Sequence, residues 1–328
     1  MTAPTAPRHD PYLEMRRRLL APERIRALSK QRPARVVVDT LVCWAIIVAA
    51  WLAAWWLGTW WAVAAAIVVV GNRYYALFII GHDGLHRRLF PTQQANDLFA
   101  DVFVLAPIGA VTRINNRNHL KHHRYLATEA DPDRHKHGCF NKATKPALFS
   151  YLVSFSSVVR SVRHVFLSRD DEAAEETEAR PRYRLRDLGL LLAVQLVLLV
   201  TLTLLFGWWG YLLLWWVPVF LFAFLADNFR TFVEHSQPRG DAAADQHRLV
   251  TNEPPWIEAQ LFAPMNMHYH AAHHLWPSIP YYNLPQANAE LRKSPDADQL
   301  TWRGSYLGYL WTYFRALPLE DCRAPARA

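Results

Sequence analysis

Three short stretches of this chain concentrate imidazoles: His82-Asp-Gly-Leu-His86, His119-Leu-Lys-His122-His123 and His270-Ala-Ala-His273-His274. On a helix, residues three or four apart share a face, so each stretch offers two or three rings to one point in space. Neutral imidazole binds zinc, copper, iron and nickel. One zinc takes four protein ligands or fewer. The eight rings, nine with His235 in "FVEHS", exceed a single site. They suit two metals with about four or five protein ligands each, leaving room for oxygen or water. A lone histidine is more often a satisfied polar group, and His9, His135, His137, His164 and His247 are read that way. Three clusters at helical spacing fit chance poorly.

Carboxylates near such clusters commonly orient a ligating ring. Asp83, Asp131, Asp133, Asp227 and Glu234 stand in such positions, as do the polar residues Asn266 and His268. For the carboxylates, helix capping and solvated charge account for the placement equally well. The first cluster has Asp83 and Gly84 where a HExxH protease carries its glutamate, which disfavours zinc-dependent hydrolysis.

Apolar blocks at about 36–57, 60–80, 188–206 and 208–226 must position these residues. Each is close to the roughly 20 residues that cross a bilayer as a helix. Gly58-Thr59 and Gly207 separate them in pairs, so the predicted fold class is all-α: an integral membrane protein with four transmembrane helices in two hairpins. The uncharged tips "LGTW" and "FGWWG" contrast with Lys- and Arg-rich segments before the first block, at 81–187 and in the C-terminal third. The positive-inside bias predicts those segments, and both termini, in the cytoplasm, where a helical cap would carry the histidines. From Trp60 to His86 a continuous helix would run about 40 Å against about 30 Å of hydrocarbon. Trp208 to His235 is similar, so both helices should project beyond the membrane with histidines at their tips.

Three regions follow: a basic N-terminal segment (1–35), partly disordered with a short surface helix; a membrane domain (36–290); and a C-terminal interfacial helix and tail (291–328). Residues 98–108 are apolar but too short to span, hence interfacial or re-entrant. Residues 146–168 have the period of a helix lying on the membrane surface, and an acidic linker, "RDDEAAEETEAR", follows. Helices are expected at 285–293 and 302–316.

The net charge of +8 includes Arg16, Arg17, Arg18, Arg24, Arg26, Lys30, Arg32 and Arg35, all ahead of the first block. There, contact with anionic lipid explains them better than nucleic acid, for which no motif is present. Three cysteines without paired spacing predict neither a disulfide framework nor a cysteine-rich metal site. No cleavage site follows the N-terminus, so the first block is expected to stay as an anchor.

The set "GHDGLH", "RNHLKHHRY…DPD" and "NMHYHAAHHLWPSIPYYNLP" resembles the membrane fatty acid desaturase superfamily over about residues 40–290. The resemblance implies a non-heme di-iron enzyme that uses O2 and two externally supplied electrons on an unactivated C–H bond. It implies as ligands His82, His86, His119, His122, His123, His270, His273 and His274, with His235 as the additional histidine between the second and third clusters. His268 stands where many relatives have Asn. The expected substrate is an acyl-CoA, an acyl-carrier protein thioester or a membrane lipid. The electrons would come from a separate ferredoxin- or cytochrome b5-like protein. Acyl-chain or carotenoid hydroxylases and ketolases share the same clusters and are the nearest alternative. From another class, a metal transporter would place ligands near mid-membrane, where this chain has only Asn72 and Arg73.

Overall fold

The computed structural model describes residues 12–126, 131–137, 139, 141–153, 183–237 and 249–319. Its helices, in chain order, begin with α1 (Leu13–Leu19), α2 (Pro22–Leu28), α3 (Pro33–Leu57), α4 (Trp60–Leu85), α5 (Gln93–Ala100), α6 (Thr112–Tyr125), α7 (Arg134–His137) and α8 (Lys145–Val153). They continue with α9 (Leu185–Phe206), α10 (Leu212–His235), α11 (Trp256–Phe262), α12 (His270–Leu275), α13 (Leu284–Leu291) and α14 (Tyr306–Arg315). Helices α3, α4, α9 and α10 are long and apolar enough to cross a membrane. Only 11% of the apolar window of α9 is buried inside the protein, so its remaining surface calls for an apolar solvent.

The two hairpins form where the sequence allows tight reversals. Pro33 opens α3, where its missing N–H breaks no helical bond. Gly58 closes the helix at φ +60°, a conformation that costs glycine little. Helix α10 starts at Leu212, later than the expected 208, and is not a regular α-helix. Its turns widen to π geometry at Leu212–Trp216 and Phe220–Ala226, on either side of Pro218. Proline cannot donate the i→i−4 bond, and wider turns absorb that defect.

Helices α4 and α10 cross at Gly71. A Cβ there would lie 2.2 Å from Phe222 Cδ2 and 2.9 Å from the Pro218 carbonyl oxygen. Gly71→Ala should therefore force the hairpins apart and destabilise the protein by about 1–3 kcal/mol. Thermal melts in detergent would read this as a lowered midpoint, and an unchanged midpoint would contradict the packing.

Residues 93–108 do not span. Helix α5 leads into a π turn at Asp101–Leu105 and a 3-10 turn at Ala106–Ile108. This segment runs back along α4, with Ala100 beside Gly84 and Val104 beside Gly81. Its carbonyls are satisfied by side chains of the spanning helices. Trp44 Nε1 donates to Phe103 O (2.9 Å), Gln195 Nε2 to Ala106 O (2.8 Å) and Trp215 Nε1 to Pro107 O (2.9 Å). Irregular backbone at membrane depth is tolerated when protein groups satisfy it in this way. Residues 98–108 thus lie against the spanning helices without forming a span of their own.

Three expectations need correction. The fold is mostly helical with almost no strand, as the expected class requires, but residues 302–303, expected to be helical, are extended: β1 (Val250–Asn252) pairs in parallel with β2 (Thr301–Arg303). Helix α14 accordingly begins at Tyr306, not 302, with Ser305 Oγ accepting from Gly308 N at 2.8 Å. Secondly, the basic N-terminal segment is packed from residue 12 onward. Tyr12, Met15, Leu19 and Leu28 are buried with Ala271, Ala272 and Leu275 of α12. Asn283 Nδ2 donates to Leu28 O at 2.6 Å, and the Ser29 and Ser278 hydroxyls lie 2.8 Å apart. Thirdly, Cys139 is disulfide-bonded, whereas Cys43 is free and buried. The surface helix expected at 146–168 is present as α8 up to Val153; its remainder and the acidic linker lie outside the described residues.

Candidate metal centre

Four elements converge. Helix α4 carries His82 in its last turn and His86 at its C-cap. Its tip is fixed by Asn96, whose Nδ2 donates to Gly84 O (2.9 Å) while its Oδ1 accepts from Leu89 N (3.0 Å). Helix α6 carries His119, His122 and His123. It starts where Asp101 Oδ1 accepts from both Thr112 N and Thr112 Oγ1, each at 2.6 Å. That bond satisfies a free N–H of the first turn and sets the angle at which α6 leaves the segment before it. Helix α10 ends on His235, and α12 carries His270, His273 and His274.

All nine predicted histidines meet at this point, in two adjoining pockets. One ring nitrogen from each of His82, His86, His119, His123 and His273 lies within 4.8 Å of the others. His122, His235 and His274 form a second such group. His270 joins it, with Nε2 3.1 Å from His235 Nε2. The pockets share a wall, where the His123 and His274 rings stack at 4.4 Å between centroids.

The donor set fits metal ions. His119 Nε2 lies 2.8 Å from His86 Nε2, and His273 Nε2 lies 3.1 Å from His123 Nε2. An imidazole nitrogen sits about 2.0–2.1 Å from a zinc-sized divalent ion, so two nitrogens at right angles around one are about 2.9 Å apart. Without a cation, five rings, two of them buried, would turn lone pairs toward one point with at most one N–H donor each. Such an arrangement is costly in a dry site.

A carboxylate orients one ring, and a second carboxylate stands beside another. Asp131 Oδ1 accepts from His122 Nδ1 at 2.9 Å, which leaves His122 Nε2 as the ligating nitrogen. Glu234 Oε2 lies 3.3 Å from His270 Nδ1, while Glu234 Oε1 accepts from Tyr306 Oη at 2.8 Å. Arg230 supplies the opposite charge, 3.5 Å from Glu234 and 2.8 Å from Asp227. Asp83 plays a different part. Its Oδ2 accepts from Tyr281 N at 2.7 Å, so it positions the loop after α12 and not a ring. Asn266, at φ +65°, supports the same loop through Tyr281 O (3.2 Å). His268 lies outside both pockets; its carbonyl accepts from Asn252 N at 2.9 Å. Asp133 pairs with Lys136 at 2.9 Å.

Burial acts on the rings themselves. It is the largest influence on His119, His123, His270, His273 and His274, holding each well below the usual imidazole range. Burial, with Arg88 and His122 nearby, pushes His86 from 6.5 down to about 3. Neutral imidazole is the ligating form, so the pockets are set up for metal without first shedding protons. A histidine with a depressed folded value binds its proton more readily when unfolded. Metal-free protein should therefore be stable above about pH 6.5 and lose stability progressively as pH falls toward 3. Melting midpoints of chelator-treated protein across that window should fall with pH; a flat profile would contradict the burial of these rings.

The profile of the fatty acid desaturase family matches residues 58–306. The chain belongs to that family. Among its relatives, the sn-1 oleoyl-lipid 12-desaturase of Anabaena variabilis is 25% identical over 280 residues, covering 79% of this chain and 74% of that protein. The beta-carotene ketolase of a Paracoccus species is 26% identical over 266 residues, covering 78% and 95%. The ceramide hydroxylase of Caulobacter vibrioides is 33% identical over 96 residues, covering 28% of this chain and only 27% of the relative. This desaturase-family chain is thus similar to oxidoreductases whose named reactions differ, and its four apolar helices agree with a membrane enzyme.

Two features of the centre escaped the sequence reading. His137, read as an ordinary polar histidine, is 1% exposed and lies 3.1 Å from Asp131. It shares no helical face with the three clusters, so spacing gave no signal. Tyr306 and Arg230 hold Glu234 from far along the chain or from within a span, and neither belongs to a recognisable pattern. Arg113, in the first turn of α6, pairs with Asp187 at 2.5 Å. Of the other lone histidines, His9, His164 and His247 lie outside the described residues, and His135 lies within α7.

Proposed function

We propose that this protein is an O2-dependent lipid-chain oxidase, a fatty-acyl desaturase that holds two non-heme irons in its histidine pockets. The observation that carries the reading is the convergence of five and four imidazoles at the ends of two long apolar helices. Two bound irons, with O2 and two external electrons, supply an oxidant strong enough for an alkyl C–H bond, which no side chain provides.

The residues of the chain do the positioning. His82, His86, His119, His123 and His273 would hold one ion, and His122, His235, His270 and His274 the other. Asp131 and Glu234 would keep the outward nitrogens of His122 and His270 protonated, so that the inward nitrogens stay bare. His122, His123, His235, His270, His273 and His274 are buried, and His82, His86 and His119 are partly exposed, so bulk water has restricted access to the reacting centre. An acyl chain partitions into the bilayer and would reach the centre from the apolar helices beneath it. Ala76, Leu77 and Ile80, considered as lining for such a chain, are fully buried in the core between the hairpins. The acyl carrier would be coenzyme A, a carrier protein or a membrane lipid, and electrons would arrive from a separate ferredoxin- or cytochrome b5-like protein. The Lys and Arg distribution supports a cytoplasmic location for both termini and the centre.

A second reading, oxygen insertion by hydroxylation or ketolation, is favoured by the carotene ketolase and ceramide hydroxylase relatives. Cells with and without the gene, fed labelled fatty acid and profiled by mass spectrometry, separate the two. Loss of two hydrogens from an acyl chain supports desaturation. Gain of one oxygen supports the second reading, and an unchanged lipid profile would contradict both.

A further inference from the structure

Beside the second pocket stands a further buried histidine that the ligand set does not use. His137 closes the short helix α7, two residues before Cys139, and is 1% exposed. Its Nε2 lies 3.1 Å from Asp131 Oδ2, an oxygen that His122 Nδ1 also reaches at 3.2 Å. Its ring centroid is 4.6 Å from that of His235 and 5.9 Å from that of His122. The backbone around it is pinned to the end of α10: Ser236 Oγ donates to Lys136 O at 2.9 Å, and Lys142 Nζ reaches the same carbonyl at 3.2 Å.

Asp131 is therefore clamped on several sides. It receives His122 Nδ1 at 2.9 Å, the Asp133 backbone N–H at 2.8 Å and His137 Nε2 at 3.1 Å. All three are hydrogen-bond lengths, longer than metal–ligand bonds. His122 Nδ1 bonds Oδ1 at 2.9 Å and also reaches Oδ2 at 3.2 Å; His137 Nε2, 3.1 Å from Oδ2, adds a second ring on that oxygen and resists rotation of the carboxylate away from His122.

We propose that His137 is a positioning residue for the three-cluster centre: through Asp131 it fixes the tautomer and orientation of His122. Metal occupancy of the pocket formed by His122, His235, His270 and His274 then depends on it, and that of the five-histidine pocket does not. The proposal rests on the two-iron reading above. A rival geometry exists, because His122, Asp131 and His137 lie close enough together to hold an ion themselves. In that case His137 would be a direct ligand, and its imidazole would be irreplaceable.

The test compares full-length wild type with His137→Gln and His137→Leu, each purified in detergent, stripped, and titrated with ferrous iron. Bound iron per chain, helical circular dichroism and iron Mössbauer spectra are recorded. Gln keeps an N–H donor for Asp131, and Leu removes it. The expected result is two irons in wild type and in His137→Gln. In His137→Leu, one iron should remain with full affinity and the other be bound roughly 10–100-fold more weakly, the usual cost of losing such an outer partner. The retained iron and the unchanged helical signal exclude simple unfolding. Full retention of both irons by His137→Leu would overturn the proposal, as would equal loss of both. His137→Gln behaving like His137→Leu, or a third iron in wild type, would assign His137 as a ligand instead. Wild-type protein that fails to take two irons would overturn the di-iron reading itself, visible before any substitution is compared.

Discussion

His273→Ala should lower product formation by at least about 100-fold, since removing even an outer partner of a ligand costs 10–100-fold. His273 is fully buried on α12, and its Nε2 faces His123 Nε2 at 3.1 Å. Its ring centroid also lies 4.5 Å from His82 and 5.0 Å from His86, so one substitution opens the five-ring pocket to three neighbours at once. The loss should be chemical and not structural. Ala271, Ala272 and Leu275, on the other side of α12, hold that helix in its apolar cluster and are untouched. Membrane fractionation should therefore show normal insertion while lipid analysis shows no product. His122→Ala should behave in the same way from the other pocket. Product at wild-type levels from either variant would contradict the ligand assignment.

The largest expected effect on stability comes from Arg230→Met. Arg230 is 5% exposed and pairs with Asp227 at 2.8 Å and Glu234 at 3.5 Å. Glu234 is itself fully buried, so its negative charge relies on that guanidinium. Removing one partner of a buried ion pair costs about 3–5 kcal/mol, because the other charge is left uncompensated. The consequence should reach the metal centre. Glu234 Oε2 lies 3.3 Å from His270 Nδ1, and a carboxylate without Arg230 would take a proton and lose its hold on that ring. Chemical denaturation in detergent should show the lost stability, and iron content should fall with it. A variant as stable as wild type would show that the pair contributes little.

What the sequence disclosed, and what it did not, divides along the range of the interactions. Helical spacing marked the clusters because residues three and four apart must share a face, and hydrophobic length marked the four spans. The convergence of His235 with His270 was also expected, since a helix as long as α10 outruns the bilayer. The strand pair between residues 250 and 303 left no such mark, because three-residue strands are too short for a periodicity. The packing of Tyr12 and Met15 against α12 was hidden by their arginine neighbours, which suggested a solvated segment. His137 was missed for the most instructive reason. Its role comes from Asp131 and from the end of α10, and neither relation is written in the spacing of the histidine itself.

The central claim is that nine imidazoles grip two irons, and metal analysis of the purified, full-length protein addresses it most directly. Elemental analysis by mass spectrometry after expression in iron-replete medium should return two irons per chain, with little zinc, falling toward one in His122→Ala. A single zinc per chain, or iron content unchanged by that substitution, would contradict the account.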